Sequence, residues 1–296
     1  MKHNITSLFG VVLLAIGLSS CGDCPLEADL NTSNGKVAME FTFSHPEQSR
    51  ATETAFENGD VVGLFVADAT KPLEIAGNTV NNEALTFSGS RWATSRPLYW
   101  SSGTFNAYAY YPRLTDIESV TDLPFKVSTD QRSISAGGLD GFEASDFLYA
   151  SAKDIAASNN PVRLQFSHIM SKITIRLIKG EDFEGEIPEN ATVYIHNTVT
   201  EASIDMVAGV VTKALRGTAK TINARKAGTT SYSAIVVPQR LTNRVPLIEV
   251  VMNGVSFLYE SKFQFKPGIH HVVNLVVDKN PEQVKIEIGG EITNWN

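Results

Sequence analysis

The sequence predicts an all-β fold of the sandwich class, and three observations lead to that prediction. Short runs rich in Val, Ile, Thr and aromatic residues recur along the chain, whereas helical periodicity is nearly absent. Gly, Pro, Asn and Asp punctuate these runs, as turns require. Many short strands separated by frequent turns favour packed β-sheets over a parallel α/β sheet.

Composition excludes several functional classes. The chain has 296 residues, of which 43% are hydrophobic and 19% charged, so it has enough apolar side chains to build a core and is not a disordered protein. Its net charge is −7, and its Lys and Arg residues are spread along the chain, with Arg225-Lys226 as an adjacent pair. We therefore expect no nucleic-acid partner, because such proteins present a basic patch or stripe.

The N-terminus reads as an export signal. Lys2 precedes a short apolar stretch, Leu8–Leu18, which is too short to span a bilayer. The stretch ends in Leu18-Ser19-Ser20-Cys21, which resembles the bacterial lipobox. Residues 1–20 are therefore predicted to be a lipoprotein signal peptide, and Cys21 the lipidated first residue of the mature chain. The alternative is an ordinary secreted protein with a coincidental cysteine.

Cys21 and Cys24 are the only cysteines of the chain. A redox or metal-binding role for this pair is rejected, because it lies at the signal boundary and a lipidated Cys21 has no thiolate to offer. Residues 21–36 are polar and are predicted to be a tether.

A half-buried strand follows the tether. Val37, Met39, Phe41 and Phe43 alternate with other residues and share one face. The next segment is polar, contains Pro46 and includes the pair Arg50-Ala51, so it is predicted to be an exposed loop.

Ten further segments carry strand signals, and Asn253-Gly254 marks a hairpin between two of them. The body of about 250 residues exceeds a small sandwich, so two domains are expected, residues 37–166 and 167–296. The predicted strands are Val61–Val66, Thr104–Tyr111, Val162–Phe166, Lys172–Ile178, Ala191–His196, Tyr232–Val237, Leu247–Met252, Val255–Phe265, His270–Val277 and Val284–Ile292.

The region from Trp92 to Tyr111 is rich in aromatic residues. Alternation along the strand puts Tyr108 and Tyr110 on the face opposite Phe105. One set is expected in the core, and the other could stack on sugars. The candidate glycan contacts are Trp92, Trp100, Tyr108 and Tyr110.

Common catalytic signatures are missing from the sequence, including His-Glu-x-x-His, Gly-x-Ser-x-Gly and the Walker-type Gly-Lys-Ser/Thr. The adjacent pair His270-His271 would point to opposite faces of a strand and could not chelate one metal together. We therefore expect no enzymatic activity, no metal and no cofactor. A cell-surface glycosidase remains an alternative, because its paired carboxylates follow no local spacing rule.

Several segments, taken in order, resemble the fimbrillin family of Bacteroidetes, particularly its Mfa-like branch. The resemblance spans nearly the whole chain. The segments that carry it are lipobox Cys21, Arg50–Thr52, Phe56–Phe65, Asp146–Ala150, Leu164–Ile173 and Ile292–Trp295.

The resemblance implies two tandem transthyretin-like β-sandwich domains and a subunit of a type V pilus, with a role in cell adhesion. In that family the precursor travels as a lipoprotein to the outer membrane. An arginine-specific protease then cuts after an arginine that matches Arg50, leaving Ala51 as the new N-terminus. Cleavage frees a groove that a strand of a neighbouring subunit fills.

The C-terminal run repeats the alternation of the first strand, since Val284, Ile286, Ile288 and Ile292 share a face. It is therefore a candidate donor strand for a neighbouring subunit, and the first strand is a candidate displaced strand. The alternative is that both are permanent strands of their own sandwiches. Stalk subunits of the family carry extra sequence beyond the region matching Ile292–Trp295, so a tip or accessory subunit is an equal expectation.

The expected protein is thus a non-enzymatic fimbrial subunit on the cell surface, whose partners are other fimbrial subunits, the outer membrane through a lipid anchor, and surface glycans or proteins. The alternatives are a monomeric glycan-binding lipoprotein and an uncleaved fimbrial anchor.

Overall fold

In the part of the chain that the structure describes, the strands form six β-sheets. A computed structural model of the chain describes residues 32–33, 36–46, 55–132, 139–279, 285–287 and 292–295. Within these ranges the helical structure is one 3₁₀ turn, Glu143–Ser145, and no helix is long and apolar enough to cross a membrane. The prediction of an all-β fold is confirmed.

The strands of the first half are β1 (Thr32–Ser33), β2 (Lys36–Val37), β3 (Phe41–Ser44), β4 (Val61–Asp68), β5 (Val80–Phe87), β6 (Trp92–Thr94), β7 (Thr104–Tyr111), β8 (Leu123–Lys126), β9 (Leu148–Ala156) and β10 (Val162–Gln165). Those of the second half are β11 (Ser167–His168), β12 (Ser171–Lys179), β13 (Thr192–Val199), β14 (Glu201–Asp205), β15 (Val210–Lys213), β16 (Ala219–Asn223), β17 (Arg225–Lys226), β18 (Ser231–Val236), β19 (Gln239–Met252), β20 (Val255–Phe265), β21 (Ile269–Val277), β22 (Lys285–Glu287) and β23 (Ile292–Asn294).

Two large sheets and two smaller ones carry most of the described chain. One six-stranded sheet has the order β11-β9-β7-β4-β5-β6, and the other has the order β17-β18-β12-β21-β22, with β23 also paired to β21. A four-stranded sheet runs β16-β13-β19-β20, and a three-stranded sheet runs β15-β14-β8. The remaining pairs are antiparallel β1-β2 and parallel β3-β10.

Two hydrophobic clusters lie on opposite faces of the first six-stranded sheet. Val62, Leu64 and Phe105 face the smaller cluster, which also contains β3 and β10. Phe65 and Tyr110 face the larger cluster, which continues into the other sheets. The sheet is therefore covered on both sides, so its central strand β4 is a nearly continuous apolar run.

Strand pairing crosses the predicted domain boundary after Phe166. Strand β8 pairs with β14, and β11 pairs with β9. The buried side chain of Gln131 also bridges to the backbone of Ile235 in β18, donating to its C=O at 2.9 Å and accepting from its N–H at 2.8 Å. The division into two domains at that point stays a prediction.

Candidate functional site

The first-strand segment, residues 36–46, is held by backbone hydrogen bonds on both of its edges. On one edge the N–H of Met39 donates to the C=O of Leu98 at 2.9 Å, and the N–H of Trp100 donates to the C=O of Val37 at 2.8 Å. The segment runs antiparallel to residues 98–100 at this edge, as the antiparallel bridge between Ala38 and Tyr99 shows.

The other edge of the segment pairs with β10 in parallel, with Phe41 opposite Val162. The N–H of Val162 donates to the C=O of Glu40 at 2.8 Å, and the N–H of Phe166 donates to the C=O of Ser44 at 3.0 Å. Removing the first-strand segment would leave these N–H groups without their acceptors. A replacement would therefore have to be another extended strand, because only a strand supplies backbone acceptors at this spacing.

The segment also closes an apolar groove. Met39 and Phe41 are each only 8% exposed, whereas Val37 and Phe43 are half-buried. On the opposite face Glu40, Thr42 and Ser44 are exposed. The alternation predicted for this strand is therefore confirmed.

We name the surface beneath these side chains the first-strand groove. The ring of Phe41 lies 6.2 Å from that of Trp100. The ring of Phe43 lies 5.0 Å from Trp92 and 5.6 Å from Phe166. The groove is lined by six residues of the same hydrophobic cluster, namely Trp92, Leu98, Trp100, Phe105, Leu164 and Phe166.

A cleft of about 410 Å³ opens where the first-strand segment ends, and it is lined in part by His45, Phe56, Asp60 and Tyr111. The ring of His45 contacts that of Phe56 at 5.1 Å. Burial lowers the pKa of His45. The hydroxyl of Tyr111 donates to the carboxylate of Asp60 at 2.9 Å, and burial raises the pKa of that hydroxyl.

The predicted processing and lipidation residues lie outside the described residues. Arg50 and Ala51 belong to residues 47–54, which connect Pro46 to Ala55. Cys21 belongs to residues 1–31. His45 and Ala55, on either side of residues 47–54 in the sequence, both line the cleft.

His168 joins the cleft to the C-terminal residues. Its side chain is buried, its Nδ1 lies 2.9 Å from the carboxylate of Asp146, and its ring stacks on that of Trp295 at 3.8 Å. Trp295 is itself 4% exposed and belongs to the larger cluster. Two separate segments of the resemblance, around His168 and around Trp295, therefore meet in the core.

The C-terminal strands pair within the chain's own sheet. Ile286 in β22 lies opposite Leu275 of β21, and Ile292 in β23 lies opposite His271 of β21. Val284 and Ile288, the other members of the candidate donor strand, lie outside the described residues. For this run to enter a neighbouring subunit, β22 and β23 would first have to separate from β21.

Three of the four candidate glycan contacts are closed to a ligand in this structure. Trp100 is 6% exposed, Tyr108 3% and Tyr110 0%. Tyr108 and Tyr110 lie on β7, whose sheet is covered on both faces, and Trp100, which precedes β7, packs against Phe41 in the smaller cluster. The ammonium group of Lys153 lies over the ring of Tyr108 at 3.8 Å. Trp92 is half-buried and packs on Phe43 at the rim of the first-strand groove. Sequence alternation missed this arrangement because it assumes one solvated face.

The adjacent histidines His270 and His271 are structural. Nε2 of His270 lies 2.8 Å from Oγ1 of Thr174, and Nε2 of His271 accepts from the N–H of Lys266 at 3.2 Å. Burial lowers the pKa of each to about 4, so both rings are neutral near pH 7. In the part of the chain that the structure describes, no group of three or more His, Cys, Asp or Glu side chains converges as a metal site requires.

The fold and the groove define a class: an all-β protein whose N-terminal strand closes an apolar groove. A profile of the fimbrillin-like family matches residues 49–295. The chain therefore belongs to the fimbrillin-like family. Subunits of fimbriae are components of a cell-surface appendage, and they are structural proteins rather than enzymes.

Two curated relatives have similar sequences. A Bacteroides ovatus protein described as the fimbrium tip subunit Fim1C is 27% identical over 224 residues, which cover 66% of this chain but only 40% of that protein. The chain thus spans less than half of that relative's length. A Bacteroides uniformis protein described as the fimbrium subunit Fim1C is 24% identical over an alignment of 307 positions. The alignment covers 98% of this chain and 94% of that protein.

Solved structures show the same fold. A cell adhesion protein from Bacteroides uniformis superposes with a TM-score of 0.68 at 18% identity, covering 90% of this chain and 100% of that one. A cell adhesion protein from Bacteroides ovatus gives a TM-score of 0.67 at 21% identity, covering 88% of this chain and 99% of that one.

Proposed function

We propose that this protein is a fimbrial subunit that accepts a strand from a neighbouring subunit in the first-strand groove. The supporting observation is the first-strand segment, which has unrelated partners on its two edges and buries Met39 and Phe41. An incoming strand with apolar side chains at alternate positions would satisfy the same backbone groups and refill the same groove.

Exchange requires that the original strand be released. In this proposal the chain is exported as a lipoprotein anchored through Cys21, and a protease cuts after Arg50. Cutting there separates residues 37–46 from the body that begins at Ala51. The segment is then held only by its own hydrogen bonds and side-chain burial, so a strand supplied by another subunit can displace it.

Cleavage also changes the thermodynamics of displacement. While the chain is intact, the first strand rebinds as an intramolecular ligand at an effective concentration in the millimolar range for a short connection. After cleavage and diffusion, that advantage is lost. The strand donated by the neighbouring subunit then competes with a free peptide rather than with a tethered one.

The subunit is proposed to act as an acceptor rather than a donor. Strands β22 and β23 pair with β21 of the same chain, and Trp295 packs on His168 in the core. Donation of the run from Val284 to Ile292 would require those contacts to break. A tip or accessory position needs a groove but no donated strand, and the Bacteroides ovatus relative is described as a tip subunit.

The division into two sandwich domains, 37–166 and 167–296, is part of the same proposal. The first-strand groove then belongs to the N-terminal domain, and the C-terminal domain holds β21, β22 and β23. The precursor would be anchored in the outer membrane through Cys21, and the processed subunit would reside in the fimbrium. Adhesion to surface glycans or proteins would be the role of the assembled tip.

Substitution of Arg50 tests the proposal in the native cells. Arg50→Ala is expected to give a folded, lipidated precursor that stays in the outer membrane and is absent from purified fimbriae. Arg91→Ala is the matched control, since Arg91 is exposed in the loop between β5 and β6 and far from the processing position in sequence. Normal incorporation of the Arg50→Ala protein into fimbriae would refute activation by cleavage there.

A further inference from the structure

Strand β20 is a long edge strand. It spans 11 residues, Val255–Phe265, and ends the four-stranded sheet β16-β13-β19-β20. It pairs with β19 on one side, and no other described strand pairs with it on its outer side. In an antiparallel ladder every second residue directs its N–H and C=O away from the paired strand. Strand β20 therefore presents a row of backbone donors and acceptors at the sheet edge.

The sequence of β20 is symmetric in chemical character about Ser261. Residues at equal distances before and after Ser261 are both aromatic, or opposite in charge, or both uncharged. The symmetric pairs are Glu260 with Lys262, Tyr259 with Phe263, Leu258 with Gln264, and Phe257 with Phe265. Two copies of β20 that run antiparallel with Ser261 opposite Ser261 would bring the two members of every pair face to face.

The inner-face aromatics of β20 are incompletely covered at the edge. Phe257 and Phe265 are buried at 4% and 1% exposure, whereas Tyr259 and Phe263 between them are only half-buried. A second β20 in this register would set Tyr259 of each copy beside Phe263 of the other. Aromatic cross-strand pairs of this kind stabilise a sheet.

The outer-face charges of β20 match a second copy of the same strand. Glu260 and Lys262 are both exposed. The carboxylate of Glu260 lies 3.7 Å from the guanidinium of Arg244, a long and solvent-exposed contact that holds the carboxylate weakly. Self-pairing would set Glu260 of each copy against Lys262 of the other and make two ion pairs.

The same charges discourage other partners. An unrelated strand that docks on β20 would lack a cation opposite Glu260 and an anion opposite Lys262. Like charges directly opposite these residues would be unfavourable. Leu258 is 45% exposed, so its side chain is available for an apolar contact when a second strand pairs with β20. The edge is therefore selective for a strand with its own sequence.

We propose that β20 is a docking surface for a second copy of this chain. The two copies pair antiparallel about a two-fold axis at Ser261, which joins their four-stranded sheets into one continuous sheet. The first-strand groove is lined by residues between Trp92 and Phe105 and between Leu164 and Phe166, none of them on β20, so this pairing does not depend on strand exchange. In assembled fimbriae it would join two such subunits, each at the end of its own fimbria.

Charge reversal tests the pairing. In sedimentation equilibrium of the purified protein, Lys262→Glu and Glu260→Lys are each expected to weaken dimerisation about tenfold or more, because each sets like charges opposite each other twice. The double variant Glu260→Lys/Lys262→Glu restores the opposite charges and is expected to restore the dimer. Lys213→Glu, an exposed lysine on β15, controls for net charge.

Two results would overturn the proposal. One is an unmodified protein that stays monomeric at the highest concentration that sedimentation can measure. The other is a double variant that dimerises no better than either single variant, since the pairing would then not depend on this register.

Cross-linking tests the register directly. Residues opposite each other in an antiparallel pair have Cα atoms about 4.5–5.5 Å apart, within the reach of a disulfide. In a background with Cys21 and Cys24 replaced by Ser, Ser261→Cys is expected to give a covalent dimer on mild oxidation. Ser256→Cys, on the same strand but opposite Lys266 in this register, is expected to give none. Equal cross-linking of both variants, or of neither, would contradict the proposal.

Discussion

Truncation of Phe41 is expected to loosen the first-strand segment while leaving the rest of the molecule folded. Phe41 is 8% exposed, and its ring packs at 6.2 Å from Trp100 and 6.4 Å from Phe43. Replacing a buried phenylalanine by alanine costs about 3 kcal/mol at the lower end of the measured range, and the slight exposure of Phe41 favours that end. If the segment opens independently, a cost of about 3 kcal/mol raises its open population about a hundredfold.

Amide hydrogen exchange measures that population residue by residue. The amide of Met39 donates from the segment to Leu98, and those of Trp100, Val162 and Phe166 donate to the segment, so all four hydrogen bonds break when the segment leaves. In Phe41→Ala these four amides are expected to exchange about a hundredfold faster, in line with the same 3 kcal/mol. The amides of the central strand β4 are expected to keep their wild-type rates.

The matched control is Thr42→Ala, because Thr42 is the exposed neighbour on the same strand. It is expected to change exchange at these amides very little. An equal acceleration of β4 and of the first-strand segment in Phe41→Ala would refute the reasoning, because the segment would then open only when the whole fold unfolds.

Three further predictions concern the core. Gln131→Leu is expected to destabilise the fold by about 1–3 kcal/mol, measured by denaturant unfolding, because the backbone N–H and C=O of Ile235 lose their partner; an unchanged midpoint would contradict it. His271 has its pKa lowered to about 4 by burial and by Lys266, so the unfolded chain binds more protons between about pH 6.5 and 4 and stability falls as the pH is lowered through that window. His271→Gln is expected to flatten this fall in melting temperature, and an equally steep fall in the variant would sink the assignment. Trp295→Ala is expected to cost about 3–5 kcal/mol, because Trp295 is buried and stacks on His168; a wild-type melting temperature would show that the closing residues lie outside the core.

The sequence predicts the apolar, alternating strands well, because their side-chain pattern reports burial directly. Strands β4, β7, β12 and β20 all fall where the pattern predicts them. The sequence does not predict β5, because Asn81, Asn82 and Glu83 interrupt its apolar pattern. It is a strand through its backbone pairing with β4 and β6, which local composition does not report.

Strand β19 differs from its predicted bounds, whereas the C-terminal run is described only in part. The sequence predicts one strand from Val284 to Ile292, and the structure describes β22 within it and β23 at its end, both paired with β21. Strand β19 begins at Gln239 rather than Leu247, although Pro246 has no N–H to donate. Its register against β20 shifts on both sides of that proline, at Leu241/Val245 and Pro246/Ile248, which lets the polar N-terminal arm continue the pairing.

For the candidate site, the sequence predicts the apolar face of the first strand but not the segments with which that strand pairs. Alternation alone identifies Val37, Met39, Phe41 and Phe43 as one face. The two edges against which they lie, Leu98–Trp100 and β10, are about 60 and 120 residues away in sequence, and no local pattern encodes such long-range pairing. For the same reason the sequence predicts only one set of the aromatic residues from Trp92 to Tyr111 in a core, whereas the run divides between two cores.

Analysis of the N-terminus and intact mass of the protein recovered from fimbriae on native cells tests strand exchange most directly. The account predicts a mature chain that begins at Ala51 and no longer contains residues 37–46, so that the first-strand groove must be filled by another subunit. A fimbria-bound chain that begins at lipidated Cys21 and retains Met39 and Phe41 would contradict it.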